Sequence, residues 1–483
     1  MKPPQKDKNR PLAALLVPDL LELLEESPES VGPQTEEMHP ADLADLAEAL
    51  PEASVRAFLA ALPRERAAEV LEYLDEELRT QVLEELTAQE AASIVAEMTP
   101  DERADALEEL DEETADDILS ELEPADKAAT ERLLEYDPYT AGGLMTTEFV
   151  SVDETLTIEE ALRSVRAMAR AGRREAMYTI YTTDLDGRLR GVMSLRELLA
   201  APEGARVSEL AWSEVVSVSP DTLQEEVSNL TSNYDLVAVP VVDPNNRLLG
   251  VVTVDDVIDV IQEEGTEDAQ KFGGMEALEE PYLQTSLVEM IKKRAGWLAV
   301  LFVGEMFTST AMQHYQSLLE HAIVLSLFIP LIISSGGNSG SQATSLIIRS
   351  LALREVTVRD WWRVAIRELP SGFTLGVILG CIGITRVLLW QFMFAHGVHL
   401  GGVPLGYNYG VHAVRIALTI GLALVGVVAF GSLTGSMLPF ALRSLGFDPA
   451  SASAPAVATL VDMTGIVIYF TVAAAMLSGI GLL

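Results

Sequence analysis

From residue 40 the apolar positions recur with a period of twelve. Leu50, Leu62, Leu74, Leu86, Met98, Leu110 and Leu122 mark the period. Four residues before each lies Leu46, Phe58, Val70, Val82, Ile94, Ala106 or Ile118, and three before lies another apolar side chain (Ala47, Leu59, Leu71 and their equivalents). Such a stripe predicts one short helix per unit, and the Pro, Thr, Asp or Glu after each marker opens the next. A helix this short cannot bury its stripe alone. The repeat therefore predicts a stack in which each helix covers its neighbour's apolar face.

After DPYTAGGLMT (137–146) the pattern alternates. Strands are predicted at 176–183 and 188–194 around Asp184-Leu185-Asp186-Gly187, and again at 236–242 and 247–253 around Asp243-Pro244-Asn245-Asn246. Val150-Ser151-Val152 is echoed by Val216-Ser217-Val218, and GVMSLREL by GVVTVDDV. These are tandem β-α-β-β-α units. From residue 291 the chain turns apolar, with five stretches of spanning length at about 295–315, 319–345, 371–395, 408–440 and 455–481.

Charge follows the same division. Residues 291–483 hold 11 basic and 7 acidic side chains, whereas residues 1–290 hold 22 basic and 66 acidic ones. The first part thus carries −44 and the second +4, against −40 for the whole chain. A nucleic-acid binder would need a basic face, so no nucleic-acid partner is expected. The single cysteine, Cys381, excludes a disulfide framework or a thiolate metal cluster. The polar start MKPPQKDKNR predicts no cleavable signal peptide. Basic residues cluster before the first stretch, between the second and third, and at Arg443 between the fourth and fifth, while 394–410 has none. They place the acidic part in the cytoplasm and the C-terminus outside, in a multi-pass protein of the cell (inner) membrane. No Walker sequence, phosphorylated-Asp motif or nucleophile elbow is visible, so no enzymatic activity is expected.

Polar residues inside the apolar stretches carry the candidate chemistry. Asp462 in ATLVDMTG is costly there unless it meets water, a cation or a partner. It reads as a cation ligand in a pore, with an ion pair to Arg386 or Arg415 as the alternative. Glu305 in FVGEMFTS is a second acid, read equally as a pore group or a structural hydrogen-bonding group. Gly336-Gly337-Asn338-Ser339-Gly340 weakens helix continuity and is expected to release backbone carbonyls beside the Asn338 side chain. Close helix packing through small residues is the competing reading. Asp448 either caps the last helix or draws cations to the mouth. A carboxylate with carbonyls suits a hard, largely hydrated divalent cation, which these residues do not narrow to one of Mg2+, Co2+, Mn2+ or Ca2+. The histidines 314, 321, 396, 399 and 412 gather at outer ends, where a transition-metal site is the lesser reading.

Two resemblances add to this. The tandem units resemble a pair of cystathionine-β-synthase-type (CBS) domains. In that family a Thr-x-x-Asp binds an adenosine ribose. Thr253 and Asp256 match it, with helix capping by Asp256 the alternative, and Ser194 with Glu197 matches weakly. The acidic repeat, DPYTAGGLM, the CBS pair, FIPLIISSGGNSGSQ and LGFDPASASAPAVATLVDMTG in this order resemble the MgtE family of magnesium channels or transporters. The resemblance implies four parts: an all-α acidic helical-repeat domain (1–136), a tandem α+β CBS pair (137–262), a connecting helix (263–290) and a five-helix transmembrane α-bundle (291–483). It implies a homodimer in lipid with the pore on the dimer axis, Asp462 as pore carboxylate, Asn338 and the Ala458 carbonyl nearby, and Asp448 at the mouth. It further implies that cytosolic Mg2+ is sensed by Asp101, Asp105, Glu225, Asp235, Asp256 and Asp259, with Glu264, Glu267 and Asp268 of the connecting helix. ATP at the CBS pair would be a second ligand. The chain departs from the family at Tyr315-Gln316, where many relatives have Phe-Glu, and at Ala454, where some have Asn. Two other readings remain open at the sequence level: a carrier coupling a divalent ion to Na+ or H+, and a membrane-anchored cation or nucleotide sensor.

Overall fold

Each twelve-residue unit folds as a helix of eight to ten residues and a short link, from Pro40–Ala49 to Pro124–Leu133. The marker leucine leaves the helix in extended backbone (ψ 154° at Leu50 and Leu62, 153° at Leu74) while its side chain stays buried. That step redirects the chain and opens the next helix. Asp75, Thr87 and Asp111 cap the following helices through their side chains, Thr87 in a reciprocal capping box with Glu90. The stripes meet differently from the expected neighbour-on-neighbour stack. Pro40–Ala49 packs mainly on Arg64–Tyr73, which packs on Ala88–Val95, which packs on Glu112–Glu121. Turning sharply after every helix brings next-but-one helices side by side, and one continuous core runs from Leu20 to Leu122.

The computed structural model describes residues 11–170, 178–202, 204–278, 282–283, 285–400, 403–404 and 406–477. The polar start, the first residues of the strand expected at 176–183 and the end of the stretch expected at 455–481 lie outside them. The chain divides into two compact units, Met1–Glu264 and Gly265–Leu483.

In the first unit, strand Val150–Asp153 runs parallel to Thr179–Thr183, which pairs antiparallel with Leu189–Ser194. The second half repeats this with Ala238–Val242 antiparallel to Leu248–Thr253 and a parallel bridge from Val218 to Val241. The two hairpins bond to each other, Leu189 N–H to Asn246 O and Leu248 N–H to Gly187 O. DPYTAGGLMT is the strap between repeat and sheet. Ala141 and Gly142 donate to Thr222 and Pro220, and Thr146 bridges Val251.

In the second unit five helices are long and apolar enough to cross a membrane: Leu287–His314, Ile323–Ala352, Val358–Ala395, Gly410–Ser444 and Ala454–Leu477. The fourth is the core, packed by the second, third and fifth, whereas the first packs on the fifth. In the helical first span only Thr308 is buried. Two expectations are corrected here. The helix ahead of the spans is not 263–290; it runs Val254–Phe272, Gly273-Gly274 end it, and the next helix begins at Leu287. The run GGNSG does not break the second span, because helix Ile329–Ala352 passes straight through it.

Candidate functional site

The unbroken GGNSG helix has a packing cause. Gly336 lies against Val427 and Val461, Gly340 against Val457 and the Gly431 backbone, and Gly337 faces Ala458. Ser339 and Ser432 share a 2.6 Å hydrogen bond, and Thr344 donates to the carbonyls of Gly340 and Gly435. Small residues let three helices touch at backbone distance, the close-packing arrangement of membrane helices. Carbonyl release at 336–340 is therefore replaced by close approach. The same packing sets the polar groups. Asn338 is exposed beside Gly337, and Ala458 and Asp462 lie four residues apart on the facing fifth span. Ala458 is inside helix Ala454–Leu477, so its carbonyl belongs to the helical ladder.

Asp462 is half-buried, and the charged group acting on it is Glu305 of the first span. The two helices approach closely at that level, where a Cβ on Gly304 would come within 2.8 Å of Thr459 Cγ2. An open apolar groove lined by Gly304, Phe307, Thr459, Leu460 and Met463 runs beside them. Arg386 does not serve Asp462. Its guanidinium lies 3.5 Å over the Trp390 ring and donates to Tyr409 Oη at 3.4 Å. Among the described residues, then, two acids and no basic partner mark the first–fifth span interface.

At the N-terminal end of the fifth span, Asp448 accepts from Ala450 N–H at 2.8 Å and from Lys271 Nζ at 2.7 Å. Asp448 thus caps the short turn Pro449–Ser451 rather than the last helix, which begins at Ala454, and it already has a cation in Lys271. Lys271 also pairs with Glu267. Burial works against its charge, but Asp448 and Glu267 outweigh it and hold the ammonium above its ordinary pKa.

The first unit gathers acids between the repeat and the CBS pair. Asp101 and Asp105 share a face of helix Pro100–Glu108, and Asp256 opens helix Val254–Phe272. Burial, then Asp105, pushes Asp101 to about 6. Burial, then Asp101, pushes Glu102 to about 8. Asp256 rises well above the carboxylate range through burial, then Asp101 and Asp255. Burial raises Glu72 to about 7 despite the bond from Thr99 N–H, with Asp101 adding to it. Asp259 reaches about 6 through burial, then Glu263. Sequence reading missed Glu72, Glu102 and Asp255, because they lie on three different helices and only the fold joins them. Asp101 Oδ1 is buried without a hydrogen-bond partner. An orphaned carboxylate oxygen facing further acids fits a hard divalent cation. Among the described residues no three His, Cys, Asp or Glu side chains converge as a metal cage, and the carboxylates form a concentrated acidic cluster.

The other predicted sensor residues are dispersed. Asp235 is the left-handed C-cap of helix Gln224–Tyr234, φ 51°, and exposed. Glu225 is exposed on that helix. Glu264 accepts from Gln224 Nε2 at 2.9 Å. Glu267 holds Lys271, and Asp268 is half-buried one residue on. Thr253 donates to Asp256 Oδ2 at 2.7 Å, so the Thr-x-x-Asp pair is pre-set. Its counterpart is occupied: Glu197 accepts from Ser194 and from Trp212 Nε1.

Comparison with known proteins agrees with this division. A divalent cation transporter family profile matches residues 329–472, an MgtE intracellular N domain matches 38–139, and CBS domains match 141–204 and 207–263. The magnesium transporter MgtE of Thermus thermophilus is 41% identical over 74% of this chain and 74% of its own. That of Enterococcus faecalis is 33% identical over 71% and 70%. A crystal structure of the cytosolic domain of the Mg2+ channel MgtE in complex with ATP is 40% identical, covering 51% of this chain and 99% of that one, with a TM-score of 0.48. The chain belongs to the MgtE family of divalent cation transporters.

Proposed function

We propose that this chain forms a Mg2+ channel whose path runs past Asp462 and whose opening is reduced by cytosolic Mg2+. The observation that carries the first part is half-buried Asp462, on which Glu305 of the first span is the acting charge, with no basic partner among the described residues. Two acids at one level of an apolar bundle are tolerable only where water and cations reach them. Asn338, beside the Gly337–Ala458 contact, adds a polar side chain near that path, and Asp448 lies at the cytoplasmic mouth. Glu305 is exposed on a helix whose surface also carries Phe302, Val303, Met306 and Phe307. A carboxylate there cannot face lipid, which supports a homodimer whose second copy covers it and puts both acid pairs on one axis. The regulatory part rests on the basin at Asp101, Asp105 and Asp256. A divalent cation neutralises carboxylates that otherwise repel, and closes the repeat onto the CBS pair. Thr253 and Asp256 would also hold the ribose of ATP. The reading places the N-terminus in the cytoplasm and the C-terminus outside, which the arginines between the second and third spans support.

The test is flux into proteoliposomes carrying a Mg2+-sensitive dye. Asp462→Ala abolishes flux while the protein keeps its dimeric mass in detergent. Undiminished flux in that variant rejects the pore assignment. Flux that requires a Na+ or H+ gradient rejects the channel in favour of a coupled carrier.

A further inference from the structure

Lys271, which pairs with Asp448 before the fifth span, is a basic group that the gate above does not use. Its ammonium lies between Glu267, one turn back on its own helix, and Asp448, 177 residues on. The surroundings hold that helix end in place. Phe272 packs with Ile348, Ala450 and Ala452. A Cβ on Gly274 would come within 3.1 Å of Trp297 and Pro455, and Trp297 Nε1 donates to Ser453 Oγ at 3.1 Å. Asp448 Oδ1 is engaged by Ala450 N–H, which leaves Oδ2 for a cation. Without the ammonium, Glu267 and Asp448 would confront each other across this contact with nothing to balance them.

We propose that Lys271 is a built-in counter-cation that docks the end of helix Val254–Phe272 on the loop before the fifth span while the Glu267–Asp448 pair is empty of metal, and that a divalent cation entering the pair displaces it. The proposal rests on the reading of Glu267 and Asp448 as metal positions. Lysine suits the role: a compact charge on a flexible stem can swing out, whereas a forked guanidinium would hold both carboxylates in fixed geometry. The pair is about a third exposed, 27% at Lys271 and 36% at Asp448, so its strength is modest and a cation can compete for it. The helix end then stays docked with either cation, and Mg2+ must outcompete an ammonium already in place. That sets a threshold below which the metal has no effect.

Hydrogen exchange of residues 266–275 in the full-length protein, in EDTA and in excess MgCl2, tests this. In EDTA, Lys271→Met exchanges about 5-fold faster than the parent, the size expected for losing a partly exposed ion pair. MgCl2 restores its protection, with a midpoint below the parent's because no ammonium competes. Lys271→Arg stays protected in EDTA and needs more MgCl2 for any further change. A purely structural lysine would give a loss that MgCl2 does not repair, and that result overturns the displacement. Equal exchange of Lys271→Met and parent in EDTA overturns the counter-cation. The metal reading of Asp448 fails separately, if Asp448→Asn keeps full Mg2+-dependent closure in the flux assay.

Discussion

Gly431 of the fourth span lies against the carbonyl oxygen of Gly336 in the second, so close that the methyl of an alanine would overlap that oxygen. Gly435 makes the same contact one turn on, with the Gly340 carbonyl. Neither carbonyl can yield without moving a helix. Gly431→Ala and Gly435→Ala should each destabilise the transmembrane unit by about 1–3 kcal/mol, the usual cost of overpacking. The expected readout is a lower melting temperature of the detergent-solubilised protein, with Gly296→Ala as a control, since a Cβ there meets nothing closer than 4.0 Å.

That contact shows where sequence reasoning stopped. The twelve-residue period predicts the repeat helices, because the marker residues close the units and six of the seven are buried, Leu86 only partly. The echoed strands gave the CBS pair, and five apolar stretches gave the spans. Two adjacent glycines read as a break in the helix, with a packing surface as the competing reading. Only the partner glycines 431 and 435, some 90 residues away, decide for packing. The expected connecting helix is displaced from Val254–Phe272 because acidic residues continue past Gly273-Gly274, where Gly274 turns the backbone at φ +79°. Asp462 and Asp448 stood out as acids in apolar surroundings. Lys271 did not, since a lysine beside glutamates on an acidic helix looks like any solvated charge.

Arg79 is 1% exposed, buried between Glu109, which it grips through Nε at 2.9 Å and through Nη2, and Glu102 at 3.9 Å. It ties helix Glu76–Glu85 to helix Pro100–Glu108. Arg79→Ala leaves half-buried Glu109 and Glu102 without a counter-charge and should cost about 3–5 kcal/mol. Arg79→Met with Glu109→Leu should recover most of that loss, since a matched apolar pair removes both desolvation terms. Thermal unfolding of the three proteins in EDTA reads the difference. Equal melting of Arg79→Ala and parent would show that Arg79 is incidental.

The pre-set Thr253–Asp256 bond bears on nucleotide binding. Removing the hydroxyl by Thr253→Val frees the Asp256 carboxylate to rotate and removes one ribose contact. Losing one hydrogen bond to a charged group should weaken ATP binding about tenfold. Calorimetric titration with ATP measures it, and Ser194→Ala is the contrast. Ser194 is committed to its own capping box with Glu197, so its loss should leave ATP affinity unchanged.

The acid basin makes stability and Mg2+ binding respond to pH in opposite senses. Glu72, Asp101 and Glu102 have folded-state values of about 7, 6 and 8, all above the ordinary carboxylate range. The folded chain therefore holds protons that the unfolded chain has already released at pH 5–8, and stability without metal falls as pH rises through that window. Mg2+ needs the same carboxylates ionised, so its binding releases protons and tightens over the same interval. The melting temperature in EDTA should fall from pH 5.5 to 8, while the increment from MgCl2 should grow. Asp101→Asn and Glu102→Gln should flatten both trends, because each removes one of the titrating groups and relieves its neighbours. A MgCl2 increment that shrinks with rising pH would mean that the basin does not take the cation.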